Sequence, residues 1–400
     1  MQNQLILVLN CGSSSFKFSI INPSTSIVYL SGVSDNFYSN NTLICLKQFQ
    51  KEIRYIYLKK YMSYKNIIKE IFKILLVQYK DYMNNVVGIG HRVVHGGDKI
   101  KSSVIINNTI LDIIKENSIF APIHNPINLL GIQIALILIP HLKSKNIAVF
   151  DTVFHHTIPQ YSYLYGIPYY FYEYYSLRRY GAHGINHYYV SKVSAVFLKK
   201  QKNLNIISCH LGSGSSVTAI VRGQSIDTSM GLTPLEGLIM GTRCGNLDPS
   251  IIIYMSEVLH LKISVIKKIL NEESGILGIN KISSDFRILE KLYYQNKMVK
   301  LSIKMYCYHL AKYISSYTVC MKGRLDAIIF TGGIGENSHL VRKNTIDQLS
   351  LLNLIINNKR NLEIHSGRSG FINASNSLPI IVIPANENQI IAEDTLKLVC

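Results

Sequence analysis

Two arginines occur where a cation needs an anionic partner. Arg92 lies inside the apolar stretch 86–94, VVGIGHRVV, and Arg243 lies in a glycine-punctuated loop, residues 230–249 (MGLTPLEGLIMGTRCGNLDP). A buried guanidinium is unfavourable unless an anion accompanies it, and its planar fork matches the oxygens of a carboxylate or a phosphate. We interpret Arg92 as a functional cation, whereas Arg243 is either a clamp for an oxyanion or an incidental surface residue.

Two carboxylates and a histidine add further groups suited to phosphoryl transfer. Asp151 follows a strand predicted for residues 146–150, where open α/β sheets place their chemistry, although an aspartate there can also cap a turn. Glu387 precedes the last predicted helix, either as an acid favoured by the helix dipole or as a second carboxylate for a metal. Mg²⁺ prefers oxygen ligands and keeps waters, so two separated carboxylates suffice for it. His183, in RYGAHGINH (179–187), is the histidine best placed to contact a reacting group.

Two similar hairpins supply candidate phosphate turns. Residues 5–19 (LILVLNCGSSSFKFS) predict a buried strand ending at Asn10, a turn of small residues and a second strand with Lys17 near its start. Residues 205–221 (NIISCHLGSGSSVTAIV) repeat the pattern about 200 residues later, with His210 before the turn. Unscreened N–H groups and hydroxyls in such turns hold phosphate oxygens. The repetition indicates duplicated domains, with chance resemblance as the alternative that one pair of hairpins leaves open.

A third glycine turn lies in residues 326–338 (DAIIFTGGIGENS), where it follows a predicted strand and opens a helix. Helix N-termini favour anions, but the third glycine of a dinucleotide fingerprint is missing, so we interpret this segment as a phosphate or nucleoside turn of another kind. The sequence has no GxxxxGK(S/T) loop and no HRD or DFG set, which excludes the P-loop and protein-kinase classes.

Length and composition limit the fold classes and the kinds of partner that are compatible with this chain. At 400 residues, with 48% hydrophobic and 16% charged, the chain predicts a globular protein of two domains. The net charge of +18 comes from scattered lysines in a chain rich in Ile, Asn and Tyr, which indicates AT-rich codon usage rather than a nucleic-acid partner. Seven dispersed cysteines without a CxxC pair predict neither zinc nor disulfides and fit a reducing cytoplasm. The start MQNQ lacks a secretory pattern and the apolar segment 129–140 is too short to span a bilayer, so we expect no membrane partner.

Hydrophobic spacing predicts the elements that position these residues. Helices are predicted over residues 64–79, 129–140 and 187–199, and strands over 27–30, 43–46, 86–97, 146–150 and 378–384. The tyrosine-rich segment 159–175 is more typical of a packed interface than of a cofactor site, and we interpret it as a subunit interface.

Taken in order, these segments resemble one known family. VLNCGSSSFKF, GHRVVHGG, APIHNPIN, FDTVFH, YGAHGINH, CHLGSGSS, GLTPLEGLIMGTRCGNLDP, FTGGIGENS and IPANE match the acetate kinase (acetokinase) family from end to end. The resemblance implies an α/β fold of two duplicated ribonuclease-H-like domains, the actin-like ATPase superfold, around a nucleotide cleft. It implies a domain of residues 1–150 completed by 386–400, a second domain of residues 151–385, and a homodimer.

The resemblance also implies a reaction and residue roles. The reaction is reversible, in-line transfer of a phosphoryl group from ATP to acetate, giving acetyl phosphate and ADP, with Mg²⁺ or, in its place, Mn²⁺. The implied catalytic residues are Asp151, Arg92, Arg243 and His183, of which His183 and Arg243 stabilise the transition state. The implied acetate pocket consists of Arg92, Val94, Ile123 and Pro234, and Arg92 and Arg243 are implied to hold the transferring phosphoryl group. The implied metal-binding residues are Asn10 and Glu387, with Asp151 and Glu387 orienting the ion through water. The implied nucleotide-binding residues are Asn10, Ser13, Ser15, Lys17, His210, Leu211, Gly212, Ser213, Gly214, Asp285, Phe286, Arg287, Gly332, Gly333, Ile334, Gly335, Glu336 and Asn337. Without the resemblance, Arg287 is an ordinary surface residue and the apolar pocket residues are ordinary core.

Several positions depart from the family pattern. Ala182 stands where phenylalanine is usual, and the wider pocket would admit propionate, since one methylene is discriminated by only about 1–3 kcal/mol. Ser213 replaces an asparagine beside the phosphate, and four more replacements are Ile185, Asn186, Asn246 and Asn388. The principal charged set is intact, so we predict activity, with a propionate or other short-chain carboxylate kinase as the alternative. An ATPase without a carboxylate acceptor leaves both arginines unexplained.

Overall fold

The structure, a computed structural model, describes residues 4–12, 15–35, 42–58, 62–200 and 203–400. The chain divides into two units, Met1–Val153 with Asn386–Cys400, and Phe154–Ala385. The predicted domains, residues 1–150 with 386–400 and residues 151–385, stay a prediction, because only folding of the separated pieces tests them.

The first unit is organised around the strand that the apolar run LILVL predicts. Its strands are β1 (Leu5–Cys11), β2 (Ser15–Asn22), β3 (Ile27–Asp35), β4 (Leu43–Gln48), β5 (Ile53–Tyr57), β6 (Val86–Val93), β7 (Val104–Ile105) and β8 (Asn146–Phe150). They form one sheet in the order β5-β4-β3-β2-β1-β6-β8-β7. Because β6 pairs parallel with both β1 and β8, the carboxyl ends of these three strands lie side by side.

Helices pack on this sheet and explain why the LILVL run shows no alternation. They are α1 (Tyr64–Gln78), α2 (Lys80–Met83), α3 (Asn108–Glu116), α4 (Asn125–Leu138) and a C-terminal helix, Glu387–Val399. Leu7 and Leu9 pack with residues of α1 and α4 in one core. The C-terminal helix lies against β6, where Gly90 gives it room: a Cβ there would lie 2.4 Å from Thr395 Oγ1 and 2.6 Å from an Ile391 methyl carbon. A strand covered in this way is apolar along its whole length.

The second unit is a smaller sheet that carries more helices. Its strands are β9 (Asn205–Leu211), β10 (Ser215–Val221), β11 (Gln224–Thr228), β12 (Ala327–Thr331), β13 (Gly370–Phe371) and β14 (Ile380–Val382), in the order β11-β10-β9-β12-β14-β13. Its helices are α5 (Gln160–Tyr163), α6 (Tyr170–Tyr175), α7 (Gly184–Phe197), α8 (Pro249–Glu257), α9 (Ile263–Lys268), α10 (Gly275–Asn280), α11 (Phe286–Leu292), α12 (Lys297–Tyr317), α13 (Gly332–Asn337), α14 (His339–Ile346) and α15 (Asn358–Glu363).

The two sheets share one strand order. The first sheet contains β3-β2-β1-β6-β8 and the second contains β11-β10-β9-β12-β14. In each sheet the first three of these strands pair antiparallel. The remaining two pair parallel, β6 with β1 and β8 with β6 in the first sheet, and β12 with β9 and β14 with β12 in the second. The Gly/Ser turns join the same pair of strands, β1 to β2 and β9 to β10. This confirms the predicted fold class of two duplicated ribonuclease-H-like units of the actin-like ATPase superfold, and it explains why the hairpin motif recurs.

Side-chain alternation along β9 separates its two faces. Ile207 and Leu211 join α12 in the larger core, whereas Ile206 packs with residues of α7. Successive side chains of a strand point to opposite faces, so Ser208 and His210 share the face of Ile206. The strand therefore presents polar side chains to α7.

Several element boundaries differ from the sequence predictions, and two of them lie beside candidate site residues. Helix α7 begins at Gly184 rather than at residue 187, because His183 takes the left-handed conformation, with φ of 57°, as the residue before the helix. The strand predicted over 86–97 ends at Val93, because asparagine side chains rather than a strand accept the next backbone N–H groups. Within the described residues, the helices do not combine the length and apolar character needed to cross a bilayer.

Candidate active site

In the first unit, Arg92 lies between two carboxylates. Its Nε and Nη2 donate to Oδ1 and Oδ2 of Asp151 over 3.2 and 2.7 Å, and its Nη1 lies 3.3 Å from Oε2 of Glu387. Burial alone would lower the pKa of this guanidinium, but Asp151 and Glu387 outweigh burial, so the pKa of Arg92 is raised above its ordinary value. Arg92 is therefore a permanent cation that two acids hold in place.

Strand order and one helix start bring these groups together. Arg92 is the penultimate residue of β6, and Asp151 directly follows β8, where its backbone N–H donates to the Val93 carbonyl over 3.0 Å. Glu387 opens the C-terminal helix, which the side chain of Asn386 caps. The structure thus gathers three of the predicted site residues, whose catalytic and metal-binding roles stay predictions.

The first hairpin predicted to hold phosphate consists of β1, the neighbour of β6, and β2. Pairing of β1 with β2 sets Asn10 opposite Lys17, and the N–H of Gly12 donates to the carbonyl of Ser15 over 2.8 Å to close the turn. Lys17 is exposed and Ser15 is half-buried. Ser13, predicted to bind nucleotide, lies outside the described residues.

Two buried asparagines of APIHNPIN (121–128) hold the segment after β6, and one of them, Asn128, also ties it to this hairpin. Asn128 donates through Nδ2 to the Cys11 carbonyl over 2.7 Å and accepts through Oδ1 from the N–H of Val94 over 3.2 Å. Asn125 makes the same pair of bonds to the N–H and carbonyl of His95, at 3.1 and 2.9 Å. The sequence alone leaves Asn125 undecided between a loop cap and a site residue and gives Asn128 no prominence. An amide at the start of an otherwise apolar helix is the signal that points to this supporting role.

The predicted acetate-pocket residues are divided between the units. Val94 is buried and Ile123 is 41% exposed, and both belong to the first unit. Pro234 belongs to the second unit, where its carbonyl accepts from Arg243 Nη1 over 3.2 Å. Their assembly into one pocket stays a prediction.

In the second unit, Arg243 and His183 meet beside the second Gly/Ser turn. A Cβ on Gly214 would lie 3.4 Å from Arg243 Nη1 and 3.5 Å from Cε1 and Nε2 of His183. The turn is closed by the N–H of Gly212, which donates to the Gly214 carbonyl over 3.0 Å, and Ser213 at its tip is exposed. Glycine at 214 therefore leaves room for a ligand that contacts the turn, a guanidinium and an imidazole together.

The loop that carries Arg243 is fixed by its own backbone. The N–H of Met240 donates to the Arg243 carbonyl over 3.1 Å, and Gly275, with φ of 62°, passes so close that a Cβ there would lie 2.2 Å from the Met240 carbonyl oxygen. The hydrogen bonds that the structure shows for the guanidinium go to neutral acceptors, the Pro234 carbonyl and the Met240 sulfur. Burial lowers the pKa of Arg243. An anion beside it would relieve that penalty, so this site favours an anionic ligand.

The His183 ring is held from two sides. Its Nδ1 lies 3.0 Å from Oγ of Ser216, and the ring stacks on His210 with centroids 4.1 Å apart and planes inclined by 21°. His210 ends the polar face of β9, and its Nδ1 lies 2.8 Å from the amide nitrogen of Asn186. Asn186 also bonds Thr331 Oγ1 over 3.2 Å. This departure from the family pattern thus provides a polar link between α7 and the ends of two strands.

The glycine turn that begins at Gly332 lies against the Gly/Ser turn that follows β9. Pairing of β9 with β12 sets His210 beside Thr331, and Gly332, with φ of 77°, approaches so closely that a Cβ there would lie 2.7 Å from the Leu211 carbonyl oxygen. A Cβ on Gly333 would have no atom of another described residue within 4 Å, apart from its chain neighbours and the backbone of its own helix. The two predicted nucleotide turns therefore occupy neighbouring strand ends.

Arg342 is a fully buried cation that supports the glycine turn that begins at Gly332. Its Nη1 donates to the carbonyls of Gly335 and Glu336 over 2.9 and 2.6 Å. Its Nε donates to Oδ1 of Asn361 over 2.7 Å, and its Nη2 donates to the carbonyls of Asn361 and Ile364 over 2.6 and 3.1 Å. Burial lowers the pKa of Arg342 to about 10. The sequence does not single out this arginine, because its short polar helix predicts a solvated side chain.

The predicted adenosine contacts divide between surface and core. Asp285 caps α11 by accepting from the N–H of Arg287, and the two side chains form an ion pair at 2.6 Å. Phe286 is buried and packs on Tyr306 with ring centroids 5.2 Å apart, so its side chain belongs to the core. The contact of this segment with adenosine stays a prediction.

Known proteins match this chain along nearly its whole length. The sequence profile described as the Acetokinase family matches residues 5–393. An acetate kinase of Buchnera aphidicola subsp. Cinara cedri (strain Cc) is 53% identical over 403 residues, which cover 100% of this chain and 98% of that protein. Among solved structures, a propionate kinase from Francisella tularensis subsp. tularensis SCHU S4 aligns with a TM-score of 0.92 at 43% identity and covers 98% of this chain and 99% of that one. The acetate kinase of Porphyromonas gingivalis aligns with a TM-score of 0.90 at 32% identity, over 99% of this chain and 100% of that one.

A family profile that matches this much of a chain, together with relatives of such identity and coverage, establishes membership. The chain belongs to the acetokinase family, whose members are phosphotransferases that use ATP and have a carboxyl group as acceptor.

Proposed function

We propose that this chain transfers the terminal phosphoryl group of ATP to acetate, giving acetyl phosphate and ADP, and that it runs this reaction in both directions. The observation that carries the proposal is the convergence of Arg243 and His183 beside Gly214. A phosphoryl group in flight spreads negative charge over its oxygens, and its transfer is catalysed mainly by positioning and charge neutralisation. A buried guanidinium and an imidazole at the edge of a Gly/Ser turn supply both.

Arg243 and His183 contact the phosphoryl group in this proposal, and the glycine turns hold ATP. Arg243 neutralises charge on the transferring oxygens, and His183 donates a hydrogen bond to one of them. The nucleotide lies against the turn at Gly212 and the turn that begins at Gly332, and Asp285 supports the adenosine. Attack by the acetate oxygen is in line, so no covalent enzyme intermediate is required.

We propose that Mg²⁺ binds near Arg92, with Asn10 and Glu387 as ligands and Asp151 acting through water. One guanidinium and two carboxylates sum to a charge of −1, which opposes an anionic substrate unless a cation joins the group. Carboxylate and amide oxygens suit Mg²⁺, which usually takes one or two carboxylates and completes its shell with water and substrate phosphates. The described residues form no group of three or more His, Cys, Asp and Glu side chains that could hold a metal. When bound, Mg²⁺ would neutralise phosphate charge, while Arg92 orients the acceptor carboxylate.

Propionate is a second candidate acceptor, favoured by one side chain. Ala182, which stands where phenylalanine is usual in the family, is buried in the second unit and clusters with Met230 and Met240. A solved relative of this chain is a propionate kinase. Because one methylene is worth about 1–3 kcal/mol in an apolar pocket, loss of an aromatic wall is enough to change the preferred acid.

We further propose a homodimer that works in a reducing cytoplasm. Tyr161 and Tyr174, in the tyrosine-rich segment, are 85% and 78% exposed, and exposed aromatic clusters are typical of interaction surfaces. The seven cysteines are free thiols, which supports a reducing compartment. Sedimentation that finds a strict monomer would remove the dimer.

The test is formation of acyl phosphate, trapped with hydroxylamine, from purified protein with Mg²⁺, ATP and acetate. Wild type should form acetohydroxamate, and Arg243→Ala should lower kcat by roughly 10²–10³-fold, the usual cost of losing one donor to a developing anion. The matched control is Arg360→Ala, an exposed arginine of the same unit, which should keep wild-type rates. Failure of wild type to form any acyl phosphate would refute the function. Wild-type rates in Arg243→Ala would refute only the role given to that residue.

A further inference from the structure

We propose that Ser208, His187 and Ser216 form a hydrogen-bonded relay that places the ring proton of His183 on Nε2, an inference that rests on the proposed role of His183 in phosphoryl transfer. Ser208 Oγ lies 2.9 Å from His187 Nδ1, and His187 Nε2 lies 2.8 Å from Ser216 Oγ. Ser216 Oγ in turn lies 3.0 Å from His183 Nδ1. Three successive contacts thus connect a strand interior to the candidate catalytic histidine.

The fold assembles the relay from one helix and two strands. His183 directly precedes α7, and His187 lies in its first turn, where its N–H donates to the His183 carbonyl over 3.0 Å. Ser208 lies on the face of β9 that packs toward α7, and Ser216 lies on β10, paired with His210. Ser208, Ser216 and His187 are each buried to 0% exposure, so water does not compete for their hydrogen bonds.

The positions of the protons follow from the number of donors in each group. The Nε2 edge of His183 borders Gly214 and Arg243, where anionic oxygens would bind, so Nε2 must carry a proton to donate. A neutral imidazole has one N–H, hence Nδ1 of His183 must accept, and Ser216 must donate to it. A hydroxyl has one proton, so Ser216 accepts from Nε2–H of His187. His187 Nδ1 must then accept from Ser208.

This arrangement requires both rings to be neutral. Burial, assisted by His155 and His210, holds the pKa of His187 well below its ordinary value, so the His187 ring is neutral. With Ser208 removed, His187 can place its proton on Nδ1. Ser216 then donates to His187, and His183 turns a lone pair toward the phosphoryl oxygens.

The experiment compares Ser208→Ala with Ser208→Thr, which restores the hydroxyl. Nitrogen-15 NMR of histidine-labelled protein reads the tautomer, and His183→Gln identifies the His183 signals by their loss. Wild type should show His183 protonated on Nε2, Ser208→Ala a mixture of tautomers, and Ser208→Thr the wild-type pattern. In parallel, Ser208→Ala should lower kcat roughly tenfold with little change in KM for ATP or acetate, as expected for one lost hydrogen bond that acts only on the reacting state.

The matched control is Ser302→Ala. Ser302 is an equally buried serine of the same unit, and its Oγ donates to the Val299 carbonyl over 2.9 Å within α12, outside the relay. This variant should keep both kcat and the His183 tautomer, which separates the relay from the general cost of removing a buried hydroxyl.

Three results would overturn the proposal. These are a wild-type His183 protonated on Nδ1 or on both nitrogens, an unchanged tautomer in Ser208→Ala whatever its activity, and an effect of Ser302→Ala on the His183 tautomer equal to that of Ser208→Ala. The wild-type spectrum decides even if Ser208→Ala does not fold. Full activity of His183→Gln would instead refute the proposed function of His183 and leave the tautomer assignment standing.

Discussion

Replacing Arg342 by methionine should destabilise the glycine turn that begins at Gly332, because this arginine donates hydrogen bonds to the carbonyls of the turn. The side chain is fully buried and donates five hydrogen bonds, two of them to the carbonyls of Gly335 and Glu336. At about 1 kcal/mol net each, five bonds amount to ~5 kcal/mol. Methionine also relieves the cost of burying a guanidinium, which offsets part of that loss. We expect a net destabilisation of about 2–4 kcal/mol, confined to this part of the second unit.

Hydrogen exchange followed by mass spectrometry measures this effect locally. Amides of residues 332–338 and 361–367 in Arg342→Met should exchange at least about 30-fold faster than in wild type, since 1.4 kcal/mol corresponds to a factor of ten. Because the turn is proposed to hold the nucleotide, KM for ATP should rise while KM for acetate stays near the wild-type value.

The matched control is Arg222→Met, an exposed arginine of the same unit. Substitutions of exposed side chains usually change the free energy of unfolding by no more than about 0.5 kcal/mol, so this variant should exchange like wild type. Exchange within threefold of wild type in Arg342→Met would refute the reasoning that the buried arginine stabilises the turn.

Three further predictions follow from the same geometry. Asp151→Asn leaves Arg92 without its buried acid, so kcat should fall by roughly 10²-fold or more, with Glu393→Gln as a control that keeps wild-type rates. Ala182→Phe should lower the ratio of kcat/KM for propionate over acetate by about tenfold, and an unchanged ratio would show that this residue does not border the acceptor. Burial lowers the pKa of His91 from 6.5 to about 4, so the unfolded chain binds a proton that the folded chain excludes. Above pH 6.5 His91 is neutral in both states and does not oppose folding. As pH falls from 6.5 toward 4, protonation of His91 in the unfolded chain lowers the free energy of unfolding by about 1.4 kcal/mol per pH unit. Thermal unfolding of His91→Gln between pH 4.5 and 8 should show a shallower pH dependence than wild type.

The sequence predicts the fold class because the decisive signals are local. The apolar run LILVL and the small residues after it specify a buried strand and a tight turn with little help from the rest of the chain. The recurrence of that pattern then predicts the duplication that the two strand orders confirm. Arg92 could also be interpreted locally, since a cation inside an apolar strand needs an acid, and the structure supplies Asp151 and Glu387.

Other parts of the site depend on packing that no local pattern encodes. Arg342 is buried because Asn361 and the loop after it close over α14, and its neighbours in sequence give no sign of this. Ser208 can form a hydrogen bond with His187 only because its place in β9 directs its side chain toward α7 rather than toward α12. The left-handed conformation of His183, which starts α7 three residues early, likewise becomes visible only when the ring partners are in place. The roles of polar residues in buried segments therefore depend on tertiary packing rather than on their neighbours in sequence.

The most direct measurement of the central claim follows the label from ATP that carries ³²P in its terminal phosphate. With Mg²⁺ and acetate, wild-type protein should transfer the label to acetyl phosphate in a one-to-one ratio with ADP, and omission of acetate should abolish ADP formation. Release of the label as inorganic phosphate at the same rate with and without acetate would contradict the account and identify an ATPase instead.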